Sequence, residues 1–454
     1  MQISDIKLFA VCGKPILHSK SPSIFRTLFK DMYYNACFTR IVSNNPKKIL
    51  SIADELGISG INVTSPFKSE MFKLMDDCDK DSTEIRAINT IILKYGKRYG
   101  YNTDIYGVVD TIKQKDIDLQ NRNCLIAGYG NAAKAVSFGL KKEWKNVNIF
   151  VTGRSEEKVR KFAKKFDCNA FFSQKQNFKK AENINPYLII STVPKNALQD
   201  IGKYFGDCEY FFDAAYPDSL MSNEAKKYNC KIITGEEWLL NQALASYKIF
   251  TDTVVPESFL NESKDSILKQ IQNENKRTIK NILLTGFSGC GKTSIGKQLA
   301  EKLGYIYFDT DSIIAEQEDL SIKEIFKKKG EEYFRKIEKE ILIKLIEQKN
   351  AVISCGGGIL CDNEKKENGK INSNTFHLLS EENLVVWLHV PLEESLKRID
   401  MIEKPMLFNR NQDEIENLYN ERKILYCISS DLLVANTSEL SKTVENIIYE
   451  LKML

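Results

Sequence analysis

The stretch that most constrains this chain is Gly286-Phe287-Ser288-Gly289-Cys290-Gly291-Lys292-Thr293: Gly, four residues, Gly, Lys, Thr. An apolar run, Ile282-Leu283-Leu284, precedes it, and Ile295, Leu299 and Leu303 follow at helical spacing. A strand, a glycine turn and a helix start in that order make a phosphate-binding loop. Gly286, Gly289 and Gly291 let backbone N–H groups curl onto one phosphate with the helix N-terminus behind them. Lys292 neutralises the terminal phosphate oxygens, and Thr293 offers a hydroxyl to magnesium. The loop begins at residue 286 of 454, so a complete unit is expected ahead of it.

That length suits two or three domains. With 43% hydrophobic and 28% charged residues the chain is globular. A net charge of +4, spread over 65 basic and 61 acidic residues, gives no nucleic-acid footprint. Runs such as Lys327-Lys328-Lys329 read as solvated faces. The 11 cysteines are odd in number, scattered and without a C-x-x-C, so reduced thiols in a cytoplasm are expected rather than a disulfide framework or a zinc site. Three dispersed histidines make no metal cluster, and no apolar run is long enough for a membrane span or a signal segment.

The first half carries four short polar stretches. Phe9-Ala10-Val11-Cys12 reads as a strand, followed by Gly13-Lys14-Pro15-Ile16-Leu17-His18-Ser19-Lys20-Ser21-Pro22, where Pro22 marks a helix start. From the residues alone, Ser19 and Ser21 either cap that helix or hold a carboxylate at its N-terminus. Gly60-Ile61-Asn62-Val63-Thr64-Ser65-Pro66-Phe67-Lys68 is a strand ending in polar residues and a lysine. Ala87-Ile88-Asn89-Thr90 and Gly100-Tyr101-Asn102-Thr103-Asp104 repeat the theme.

Together, in this order and spacing, the four stretches resemble the substrate lobe of shikimate dehydrogenases (G-x-P-I-x-H-S-x-S-P, N-V-T-x-P-x-K, A-x-N-T, N-T-D-x-x-G). The resemblance implies that Ser19 and Ser21 bind the substrate carboxylate. Asn62, Thr64, Asn89 and Asp104 would hold its hydroxyls, and Lys68 and Asp104 would form the catalytic pair. The chemistry is coherent, because hydride addition to a ketone leaves an alkoxide that needs a proton and a stabilising charge.

Cys124-Leu125-Ile126-Ala127-Gly128-Tyr129-Gly130-Asn131-Ala132 is an apolar strand, a glycine turn and a helix start, as at a dinucleotide pyrophosphate. After the next strand, Val147 to Val151, comes Thr152-Gly153-Arg154-Ser155. An NAD site would place an acidic residue there. Arg154, with Ser155 and Lys158 beside it, suits a 2′-phosphate, which points to NADP(H). Later stretches match the same family: Phe212-Asp213-Ala214-Ala215-Tyr216, and Gly235 to Gln242. Tyr216 and Gly235 would then sit by the nicotinamide and Gln242 by the substrate. Two departures stand out. Asn131 occupies a family glycine position, and Ser191-Thr192-Val193-Pro194 replaces an N-A-T segment.

In the second half, Phe308-Asp309-Thr310-Asp311 ends a strand in two carboxylates. Phe334-Arg335 with Glu338, then Gly356-Gly357-Gly358 after the run Ala351 to Cys355, and a late Arg422 follow. This series resembles shikimate kinases over essentially all of residues 281–454. The resemblance implies that Thr293 and Asp309 manage Mg²⁺ and that Asp311 positions or deprotonates the accepting hydroxyl. Arg335 and Arg422 would clamp the substrate carboxylate, with Gly357 assisting and Glu338 orienting Arg335. Residues 398–412 would be a lid over ATP, in which Lys404 stands where the family has arginine.

The expected architecture is α/β: a two-lobed dehydrogenase followed by a P-loop kinase with a parallel sheet. Residues 1–104 and 238–272 would form the substrate lobe, 105–237 a Rossmann-type NADP lobe, 273–280 a linker and 281–454 the kinase. The expected function is bifunctional, with NADPH-dependent reduction of 3-dehydroshikimate and ATP/Mg²⁺-dependent phosphorylation of shikimate. The alternative is a quinate/shikimate-type dehydrogenase fused to a weakly active or regulatory nucleotide-binding module. Small-molecule substrates, and neither nucleic acid nor membrane, are the expected partners.

Overall fold

The computed structural model describes residues 5–172, 184–194, 201–216, 219–273, 278–359, 382–400, 404–408, 410–436 and 439–453. The linker expected at 273–280 and the lid expected at 398–412 therefore lie partly outside the described residues. The chain divides into two compact units. One comprises Met1–Pro22, Arg26–Pro66 and Lys276–Leu454, the other Ser23–Phe25 and Phe67–Asn275.

In chain order the first unit begins with β1 (Lys7–Gly13), β2 (Ala36–Val42) and β3 (Ile58–Val63). The second unit supplies β4 (Asp77–Cys78), β5 (Thr90–Lys94), β6 (Lys97–Tyr101), β7 (Asn123–Ala127), β8 (Asn148–Thr152), β9 (Asn169–Ala170), β10 (Leu188–Ser191), β11 (Tyr210–Asp213) and β12 (Lys231–Ile233). The first unit then resumes with β13 (Asn281–Thr285), β14 (Ile306–Asp309), β15 (Ala351–Ser354), β16 (Asn383–His389) and β17 (Leu432–Ala435).

The first unit is built on eight strands in the order β14-β15-β13-β16-β17-β2-β1-β3, each pair parallel. Strands buried on both faces read as continuous apolar runs, and Leu384 to Leu388 and Leu432 to Val434 are all buried. The chain leaves β13 for β14 and β15 on one side and for β16 and β17 on the other. The loop after β13 therefore opens at a topological switch point, where α/β sheets bind ligands. The sheet does not stop at β17. Leu433 and Val434 pair with Ile41 and Val42 of β2, so the sheet of the second half of the sequence continues into the sheet of the first.

The second unit contains a six-stranded parallel sheet, β12-β11-β10-β7-β8-β9, wound the same way around β7. It also contains the antiparallel hairpin β5–β6 with β4 alongside. Helix Thr103–Lys113 lies close against helix Gly235–Thr251, and a Cβ on Gly107 would stand 2.8 Å from the Gln242 backbone N. Among the described residues no helix is long and apolar enough to cross a membrane.

Candidate active sites

The phosphate loop joins β13 to helix Lys292–Leu303. Gly291 caps that helix in the left-handed region (φ 90°), and a Cβ there would lie 2.6 Å from Asn436 Nδ2, so glycine is required twice over. Asn436 donates to Cys290 O at 2.9 Å and accepts from Thr443 Oγ1, fastening the loop to the segment after β17. Lys292 Nζ donates to the loop carbonyls of Gly286 and Phe287. Thr293 Oγ1 donates to Asp309 Oδ2 at 3.0 Å, which places two hard oxygen ligands together. That set fits Mg²⁺, which takes one or two protein ligands beside phosphate and water. Tyr307 donates to the same carboxylate oxygen, and Asp309 caps helix Thr310–Glu318 through Ser312 N.

The strand expected to end in both carboxylates stops at Asp309, and Asp311 stands in the first turn of the helix that Asp309 caps. Burial raises its carboxyl above the ordinary aspartate range. Lys292, Lys404 and Arg335 pull it back, while Asp309 adds to the rise. Arg335 follows a break at Gly330 in helix Ile322–Ile346. Its Nη1 donates to the fully buried Glu338 at 2.6 Å, and its Nη2 faces Glu331 at 3.3 Å. Burial opposes its charge, yet Glu338 and then Glu331 hold the guanidinium above its usual range.

The three glycines after β15 have a steric cause. A Cβ on Gly356 would overlap Glu338 Oε1 and stand 3.0 Å from Asp311 Oδ1, and one on Gly358 would stand 2.5 Å from Arg335 Nη2. Gly357 lies between them, and a Cβ on it would be 3.6 Å from Arg422 Nη1. Arg422 is itself buried, with its guanidinium carbon 5.7 Å from the Phe287 ring centre. Among the described residues its Nε has no hydrogen-bond partner. A buried cation with an unused donor, beside Arg335 and the glycine backbone, suits an anionic planar ligand such as a carboxylate.

In the second unit, Lys68 Nζ lies 2.5 Å from Asp104 Oδ2, both side chains largely shielded. Asn89 Nδ2 donates to Asp104 Oδ1 and Thr103 Oγ1, each at 2.9 Å, and lies 3.3 Å from Gln242 Oε1. Asn89 Oδ1 accepts Thr103 N–H at 2.7 Å, and Trp238 Nε1 donates to Asp104 O. Each partner fixes the next, so the lysine is aimed by a chain of hydrogen bonds running back into helix Gly235–Thr251.

Around β7, Gly128 and Gly130 form the turn into helix Asn131–Glu143. A Cβ on Gly130 would meet open space, which leaves the helix N-terminus accessible to a pyrophosphate. Asn131 Oδ1 accepts from Ser69 Oγ and Lys134 Nζ, and Ala132 follows it in the first turn. Arg154 and Lys158 are exposed, and Ser155 caps helix Glu156–Phe166. An accessible turn with two exposed cations, Arg154 and Lys158, fits a dinucleotide with a 2′-phosphate. Gly235 packs so tightly that a Cβ would lie 2.7 Å from Ala214 O; Tyr216 is half-buried.

Ser19, Ser21, Asn62 and Thr64 belong to the first unit, at the ends of β1 and β3. Helix Ser21–Asp31 has Lys20 as its N-cap with no side-chain cap bond, and Ser19 Oγ accepts only a long 3.4 Å bond from Ser21 N. Capping therefore does not explain the two hydroxyls. Arg40 holds Ser19 O from below through Nε (3.2 Å) and Nη2 (2.7 Å), a support that sequence patterning did not single out. Thr103 was legible inside its motif, whereas Tyr307 and Asn436 carry no local signal.

These features define a dinucleotide-binding oxidoreductase fold and a P-loop small-molecule kinase in one chain. The family "Shikimate dehydrogenase substrate binding domain" matches residues 11–91, and "Shikimate kinase" matches residues 288–452. The shikimate dehydrogenase (NADP(+)) of Methanococcus maripaludis is 34% identical over 266 residues, covering 55% of this chain and 92% of its own. The shikimate kinase of Persephonella marina is 39% identical over 148 residues, 33% of this chain and 84% of its own. The crystal structure of Aquifex aeolicus shikimate dehydrogenase aligns with a TM-score of 0.52 at 28% identity, over 60% of this chain and 99% of that one. The chain belongs to the shikimate dehydrogenase family and, through its later part, to the shikimate kinase family.

Proposed function

We propose that the chain is a bifunctional enzyme of the shikimate pathway, reducing 3-dehydroshikimate to shikimate with NADPH and phosphorylating shikimate with ATP and Mg²⁺. The observation that carries the reading is the coexistence of two residue sets: Lys68, Asp104 and Asn89, linked by hydrogen bonds, and the bonded pairs Thr293–Asp309 and Arg335–Glu338, with Asp311 and Arg422 beside Gly356 and Gly357.

NADPH, when bound, supplies the hydride. Lys68 donates the proton that the resulting alkoxide takes up, and Asp104 holds the ammonium in line and contacts a substrate hydroxyl. Ser19 and Ser21 bind the carboxylate, with Asn62, Thr64, Asn89 and Gln242 on the polar groups and Tyr216 beside the nicotinamide. In the kinase, ATP would supply the phosphoryl group, and Thr293 and Asp309 would hold a Mg²⁺ ion that neutralises phosphate charge. Lys292 and Lys404 contact phosphate oxygens, Asp311 accepts the proton of the attacking hydroxyl, and Arg335 and Arg422 grip the carboxylate with Gly357 beside them. The substrates are small molecules. The ten described cysteines are all free, which fits a reducing cytoplasm.

Measuring kcat/KM of the dehydrogenase for shikimate and for quinate, with NADP⁺ and NAD⁺, tests the first activity. A preference for shikimate with NADP⁺ is expected, and a preference for quinate or NAD⁺ refutes it. ADP release that depends on shikimate tests the second; a chain that binds ATP without shikimate-dependent turnover would be the nucleotide-binding module instead.

A further inference from the structure

The turn that leads from β1 to Ser19 and Ser21 is held in part from the far end of the sequence. Ile16 N and Leu17 N both donate to Glu450 Oε2, at 2.7 and 2.8 Å. Glu450 lies on helix Leu440–Lys452, the last helix of the kinase part, and is fully buried. On the same helix, Asn446 Oδ1 accepts from Lys14 Nζ at 3.4 Å, and the Tyr449 ring lies under that ammonium at 5.0 Å. Just beyond the turn, Arg40 holds Ser19 O with two nitrogens and gives its third, Nη1, to Asp431 O. The pairing of β17 with β2 fixes these elements in register, and Arg26, by donating to both Phe38 O and Ser430 O, ties the same seam.

A buried carboxyl group is costly unless it is used, and here Oε2 accepts from two consecutive backbone N–H groups of the turn, while Oε1 has no hydrogen-bond partner among the described residues. Two donors on one oxygen fix both the position and the tilt of the peptide planes that precede Ser19.

We propose that Glu450 is a positioning residue for the dehydrogenase's carboxylate-binding turn, so that the first reaction depends on a side chain supplied by the second enzyme. The proposal rests on the reading that Ser19 and Ser21 bind the substrate carboxylate. Glu450 touches no reacting atom, so its loss should weaken ground-state binding of one substrate and leave the chemical step alone.

The test uses the full chain and measures both activities in each variant. Glu450→Met, similar in volume but without an acceptor, should raise the KM for 3-dehydroshikimate on the order of tenfold, as expected when a charged-group hydrogen bond is lost. The dehydrogenase kcat, the KM for NADPH and the kinase constants should stay within about twofold. Glu450→Gln keeps an acceptor oxygen and should restore most of the affinity. If Glu450→Met does not fold, Glu450→Asp, too short to reach both N–H groups, carries the test with the same expected direction. An unchanged KM for 3-dehydroshikimate overturns the proposal. So does a parallel loss of kinase and dehydrogenase kcat, or equal effects of Met and Gln, since each reports a merely structural role. Ser19→Ala and Ser21→Ala separate the two levels. If they leave that KM unchanged, the carboxylate reading falls; if they raise it while the Glu450 variants do not, only the present proposal falls.

Discussion

Replacing Gly356 with alanine adds one methyl group and should disable the kinase while sparing the dehydrogenase. The backbone does not forbid it, because Gly356 is not among the residues with positive φ. The conflict is steric. The new Cβ would overlap Glu338 Oε1, lie 3.2 Å from Glu338 Cδ and approach Asp311 Oδ1 to 3.0 Å. Glu338 is fully buried, so its carboxylate can move only by giving up the 2.6 Å bond to Arg335. A hydrogen bond to a charged group is worth about 1.5–3 kcal/mol, and breaking a buried ion pair costs about 3–5 kcal/mol when one partner is stranded. Glu331 stays as a second partner for Arg335, so the lower range applies. At about 1.4 kcal/mol per factor of ten, the KM for shikimate should rise roughly 10- to 100-fold. Displacement of Asp311 should also lower kcat. Shikimate-dependent ADP release measures both, and NADPH oxidation in the same sample reports the integrity of the rest. A Gly356→Ala chain with both kinase constants within about twofold of the parent would refute the steric reasoning.

Lys404→Arg should leave kinase turnover unchanged or raise it, since arginine adds a forked donor to the same charge; a large loss would show that the position does not contact phosphate. Because burial raises the Asp311 carboxyl, its protonated form is favoured and its function as a base is lost as pH falls through the raised value. The acid limb of the kinase kcat/KM should therefore lie above the ordinary aspartate range, about 3.9, and Asp311→Asn should abolish turnover. A limb at or below that range would contradict the assignment. Asn89→Ala removes the donors that hold Asp104 and should cut the dehydrogenase kcat/KM on the order of tenfold or more with kinase turnover intact, as steady-state assay of both activities would show.

The parts legible in the sequence are those whose chemistry is local. The phosphate loop needs its glycines, lysine and threonine within eight consecutive residues, and Asp309 and Asp311 flank one strand-to-helix junction. The Lys68–Asp104 pair was expected only through the resemblance of its motifs to shikimate dehydrogenases, since a lysine after a strand carries no signature of its own. Whether Ser19 and Ser21 cap a helix was open until Lys20 proved to be the N-cap without a side-chain bond. The pairing of β17 with β2 had no signature at all. Both strands are short and buried, and such runs do not encode which neighbour they take. The contacts along that seam join residues as far apart as Cys37 and Cys427, whose sulfurs lie 2.8 Å apart. Glu450 likewise reads as one more acidic residue on an amphipathic helix; only the fold brings Ile16 and Leu17 to it.

The most direct test of two consecutive activities is to incubate the whole chain with 3-dehydroshikimate, NADPH, ATP and Mg²⁺ and to follow the products over time. Shikimate 3-phosphate should accumulate as NADPH is consumed, and Lys292→Ala should consume NADPH at the parent rate yet stop at shikimate. Absence of NADPH consumption, or NADPH consumption without any phosphorylated product in the parent chain, would contradict the bifunctional reading.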